Sequence, residues 1–107
     1  MCRYLHHNEL GCISRCRTGC CLHLYFGNVA LRLKRHELPA WRTEVAALYE
    51  RHTHPAPDPL ARCLVLPGLV TQQAFVFTLE EVLLLHDLLI SATILLEAED
   101  LLSSAAR

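Results

Sequence analysis

Four of the chain's six cysteines, Cys2, Cys12, Cys16 and Cys20, fall within the first twenty positions, and Cys21 follows at once. His6 and His7 stand among them. Zinc takes four thiolate or imidazole ligands in a tetrahedron, commonly offered by pairs of cysteines two to four residues apart. The run Cys16-Arg17-Thr18-Gly19-Cys20 has such a spacing, and Gly19 suits the left-handed backbone of a knuckle. Cys2 together with His6, or with His7 in its place, completes a set. The predicted ligands are therefore Cys2, His6, Cys16 and Cys20, with Zn2+ as the ion. No C-x2-C pair occurs, and other chemistry fits the same residues. Cys12 and Cys16 can occupy alternate strand positions as small hydrophobes, or a cysteine pair can act as a disulfide or redox couple. Adjacent Cys20 and Cys21 point opposite ways in a strand, so one of them faces a core, and Cys63 matches a strand pattern of its own. On the sequence these alternatives stay open.

The remaining reactive pairings are weaker. His52 and His54 flank Thr53 at a helix end, where imidazoles commonly meet unpaired carbonyls. His86 precedes Asp87 on an apolar segment and suits an interface or a cap better than a general base. Cys20 and His23 supply a nucleophile and a base with no third group to orient them. There is no Gly-rich phosphate loop and no G-x-S-x-G elbow. The reading leans away from an enzyme.

The elements that position these residues form two copies of a strand–strand–helix unit. From Cys21, Leu22, Leu24 and Phe26 alternate with His23 and Tyr25, the period of a half-buried strand. Gly27-Asn28 suits a tight hairpin turn, after which Val29, Leu31 and Leu33 oppose Arg32 and Lys34. Residues 37–52 carry Leu38, Trp41, Val45, Leu48 and Tyr49 at helical spacing, with Pro39 in the first turn. A connector with prolines at 55, 57 and 59 follows. Strands are predicted over 62–66 and 73–77. Thr78 and Glu81 form a capping box for a helix running from Leu79 toward Ser103.

The expected fold is α+β: two ββα units forming a four-stranded, largely antiparallel sheet with both helices on one face. The whole chain, 1–107, reads as one domain, with a Cys/His-rich segment (1–20), a first unit (21–53), the Pro-rich connector (54–61) and a second unit (62–105).

The second unit is apolar on both sides. Its outward strand positions include Val65 and Val76, and its helix is apolar nearly all round. Such a helix must be buried on more than one side. A chain this short has little protein to spare for that, so a homodimer is expected, through Val65, Val76, Leu85, Leu89 and Leu96.

Composition narrows the classes. With 52% apolar and 20% charged residues the chain is globular rather than disordered. Residues 1–36 carry a net charge of +5 and the remainder −6. A near-neutral whole argues against nucleic acid as partner and for attraction between the two halves, within one chain or across a dimer. No apolar run approaches the roughly 20 residues of a membrane span. Residues 1–7 contain no apolar h-region, so no secretory leader is expected, and the cysteines suit a reducing cytoplasm.

The run Gly11-Cys12-Ile13-Ser14-Arg15-Cys16, followed by Leu22-His23-Leu24-Tyr25-Phe26-Gly27-Asn28, resembles a family of short uncharacterised bacterial proteins described only as a domain of unknown function. The helix containing Leu79-Glu80-Glu81-Val82, Leu85-His86-Asp87-Leu88-Leu89 and Leu95-Leu96-Glu97 resembles that family's Leu-rich C-terminal helix. The resemblance spans most of the chain on short motifs. It implies an early cysteine, matched by Cys2, and a C-x2-C pair before the strand ending Phe-Gly, matched at Cys16. At the third position this chain has Gly19, and the cysteine is displaced to Cys20. The resemblance supports the layout and implies no activity. The sequence thus points to a small protein with a structural zinc knuckle and an adaptor role toward an unknown protein partner. A metal-free homodimeric binding module and a thiol redox protein are the alternatives.

Overall fold

The alternation of Leu22, Leu24 and Phe26 with His23 and Tyr25 produces a strand buried on one side. Gly27, at φ 57°, and Asn28 turn the chain back on itself. The computed structural model describes residues 3–16, 21–51, 64–67 and 74–105. In it β1 (Arg3–His7), β2 (Gly11–Arg15), β3 (Cys21–Phe26) and β4 (Val29–Lys34) form one antiparallel sheet in chain order. A 3-10 turn (Arg35–Glu37) leads into α1 (Leu38–Arg51). Among the described residues β5 (Leu64–Pro67) and β6 (Ala74–Phe77) pair only with each other, and α2 (Leu79–Ala105) follows.

The α+β class, a four-stranded antiparallel sheet and two helices are as expected. The membership of that sheet is not. Its outer pair comes from the Cys/His-rich segment, and the second hairpin stands as a separate two-stranded sheet. Two local features seat β2 beside β3. Asn8 closes the β1–β2 turn: its backbone N–H donates to the Gly11 carbonyl at 2.9 Å, and its Oδ1 accepts from the Leu10 N–H at 2.9 Å. Gly11 lies so close to the Tyr25 carbonyl that any Cβ would collide with it, so β2 can approach β3 only with glycine there.

One side of the sheet presents Leu5, Ile13, Leu22, Leu24, Phe26 and Leu33, all buried, to the helices. α2 lies over β1 and β2 and packs along α1, which adds Leu38, Trp41, Val45 and Leu48. The small sheet joins through aromatic rings: Phe26 meets Phe77 at 5.5 Å and Phe75 at 5.6 Å between centroids, and Phe75 reaches Trp41 at 6.2 Å. Each buried leucine of this core contributes roughly 1.5–3 kcal/mol relative to exposure.

Three of the expected interface residues belong to this core. Leu85 and Leu89 are fully buried and Leu96 nearly so within the single chain, because the sheet and α1 cover α2 from two directions. They are not surface groups. Val65 and Val76 do face solvent, opposite each other across β5–β6. The capping box forms as expected, with the Thr78 N–H donating to Glu81 Oε1 at 2.9 Å and the Glu81 N–H to Thr78 Oγ1 at 3.1 Å. The oppositely charged halves meet within the chain: Arg15 reaches Glu99 at 3.2 Å, and Arg35 reaches Asp100 at 2.6 Å. Among the described residues, no helix is long and apolar enough to cross a membrane.

Candidate metal centre

Antiparallel pairing of β2 with β3 fixes which side chains share a face. Ser14 stands opposite His23 and Arg15 opposite Leu22. The Cys16 N–H then donates to the Cys21 carbonyl at 2.9 Å, which carries the ladder one rung further. Cys16 therefore lies across from Cys21. Residues two apart on a strand share a face, so His23 stands beside Cys21 on the side away from the helices. The outcome is a compact donor group: one Sγ each from Cys16 and Cys21 and one ring nitrogen of His23, all within 4.8 Å of one another.

Cys16 Sγ and His23 Nε2 are 3.8 Å apart. Around a tetrahedral zinc with bonds of about 2.3 Å to sulfur and 2.0–2.1 Å to nitrogen, sulfur–nitrogen edges come to about 3.6 Å and sulfur–sulfur edges to about 3.8 Å. The Cys16–His23 separation is thus close to the one a zinc ion would impose, and the remaining separations lie within 4.8 Å. Cys16 and His23 are half-buried, so an ion here would be shielded while remaining reachable from solvent. His23 is also held from its other side, stacked on Tyr25 with ring centroids 6.3 Å apart. Across the next pair of strands, Arg32 faces His23 and Lys34 faces Cys21. Two thiolates and one divalent cation sum to zero charge, so occupancy adds no positive charge beside those cations.

The residues predicted from the sequence divide. Cys16 is in the group. Cys2 and Cys20 lie outside the described residues, as do His52, His54 and Cys63. His6 is placed elsewhere: it pairs with Ile13, on the side of the sheet that faces α2, and its Nε2 is 2.8 Å from Asp87 Oδ2. Asn8 Nδ2 donates to the same carboxylate oxygen at 3.0 Å and to the Leu84 carbonyl at 2.8 Å. The Asn8 hydrogen bond first, and the His6 imidazole next, hold the Asp87 carboxyl below the usual carboxylate range. Cys12, opposite Tyr25, shares the face of Cys16 but lies four residues away, about 13 Å along the strand.

Cys21 and His23 were missed as ligands. The signal was present in the alternation itself, since a C-x-H on a strand puts both side chains on one face. Helical or knuckle spacing is not the only route to a cluster when a neighbouring strand supplies the third donor. Compared with protein-family models, curated proteins and solved structures, the chain matches none.

Proposed function

We propose that the chain is a small zinc protein in which Cys16, Cys21 and His23 hold one structural Zn2+. The protein serves as an interaction module rather than an enzyme. The observation that carries this reading is the convergence of two thiols and an imidazole within 4.8 Å on one face of β2 and β3. A structural zinc site uses four protein ligands. A fourth donor must therefore join these three, and serine variants of Cys2 and Cys20, both expected from the sequence as ligands, test each in that role. The metal would tie β2 to β3 at the end where residues 17–20 connect them. A reducing cytoplasm suits this reading, because both sulfurs must remain thiolates to bind the ion.

Zinc content of protein purified without a histidine tag tests the proposal. About one zinc per chain is expected, and Cys16→Ser should lose the metal and melt at a lower temperature, since binding energy at a structural site is also folding energy. Folded, reduced wild-type protein that takes up no zinc overturns the reading.

A thiol redox role is the second reading, favoured by two sulfurs facing each other across adjacent strands. A small-molecule disulfide would take two electrons from Cys16 and Cys21, joining them and leaving as two thiols. Titration with a thiol reagent then counts two fewer thiols after mild oxidation of metal-free protein.

A further inference from the structure

α2 buries Val82, Leu85, Leu88, Leu89, Ala92 and Leu96 against its own chain, and leaves other apolar groups outside. Ile94 is 59% exposed and Leu83 45%. Beside them α1 contributes the small, half-buried side chains Ala46 and Ala47. Between the two helices runs a groove of about 630 Å3 lined by Arg42, Ala46, Ala47, Glu50, Ile90 and Ile94. A smaller hollow of about 190 Å3 extends it past His86 to Leu83.

We infer that this groove is a two-fold interface that takes a second copy of the same chain, α1 against α1. The charge pattern selects that occupant. Arg42 and Glu50 lie four residues to either side of Ala46, so each stands about 6 Å from it along the helix. When two α1 helices cross antiparallel with the axis at Ala46, Arg42 meets the partner's Glu50 and Glu50 meets the partner's Arg42. One surface, used twice, makes both ion pairs, as an isologous contact requires. A parallel crossing would set like charges together. The small residues at the centre allow the helix axes to approach to the roughly 8 Å lower end of ordinary packing. Ile90 and Ile94 then supply an apolar centre inside a charged rim, the anatomy of a protein–protein contact. An anionic lipid surface would suit Arg42 and oppose Glu50. This surface is separate from the Cys16, Cys21 and His23 group, and its test does not depend on metal.

Sedimentation velocity of the full chain over a concentration series reads the outcome, with circular dichroism reporting that each variant is folded. The wild type should sediment as a dimer that dissociates on dilution. Arg42→Glu and Glu50→Arg should each weaken self-association at least tenfold, by placing like charges across the axis. The double variant R42E/E50R should dimerise again, and an equimolar mixture of the two single variants should form a mixed dimer. Wild-type protein that stays monomeric at its highest soluble concentration overturns the inference. So does a dimer indifferent to both reversals, or a double variant that fails to recover.

Discussion

His6 and His23 lie in the same four-stranded sheet and look in opposite directions. His6 faces α2, where Asp87 holds its Nε2 at 2.8 Å and Asn8 holds the same carboxylate. His23 faces away from the helices, with Cys16 and Cys21 around it and Tyr25 stacked against it. One imidazole joins sheet to helix, and the other stands beside two thiols. Residue type says nothing of this difference. Ladder register decides it, because a strand's side chains alternate faces and the opposing strand determines which donors converge. The helix-facing side carries the buried core, and the other side carries the group of two thiols and an imidazole.

The sharpest break in that contrast would come from removing bulk on the helix-facing side. Leu24→Ala should lose about 2–5 kcal/mol in urea unfolding, as expected for a fully buried leucine. Arg32→Ala, exposed on the opposite face, should stay within about 0.5 kcal/mol of wild type. Comparable losses from the two would mean that the faces are wrongly assigned.

A smaller effect separates the two histidines directly. His23→Ala should weaken zinc binding more than about tenfold in a competition titration, whereas His6→Ala should leave affinity unchanged. Loss of metal in His6→Ala alone would move the site to the other face.

The smallest effect concerns the His6 side itself. Asp87→Asn should cost less than about 1 kcal/mol, because the pair is half-exposed to solvent. Its pH dependence has a definite sign. A carboxyl held low in the folded state contributes stability that is fully present above its ordinary titration range, near pH 4, and fades as pH falls through the lowered folded value. The melting-temperature gap between wild type and Asp87→Asn should therefore be widest at neutral pH and close in acid. A gap that widened on acidification would refute the assignment.

Much of the layout was legible from local pattern. Cys21–Phe26 and Val29–Lys34 alternate cleanly, Gly27 turns at positive φ, and Thr78 with Glu81 announces α2. β1 and β2 were not legible as strands. The pairing of β1 slips between Tyr4 and His6, which breaks the two-residue period, and β2 has Ile13 as its one large aliphatic residue. Their cysteines and histidines read as ligands before they read as strand positions. The site was half legible for the same reason. Cys16 stood out by spacing, while Cys21 and His23 became visible only once β2 was laid beside β3. The apolar character of α2 is legible in its sequence, but the division of its surface is not: the sheet and α1 cover Leu85, Leu89 and Leu96, while Leu83 and Ile94 stay outside.

The order of elements has a consequence for synthesis on the ribosome. All four strands of the main sheet are complete by Lys34, yet Glu99, the residue that clasps Arg15, comes 65 residues later. At roughly 5–20 residues per second, that interval lasts about 3–13 s. Throughout it the leucines of the sheet have been made without a complete α2 to cover them, and a nascent chain in that condition is the form most in need of a chaperone.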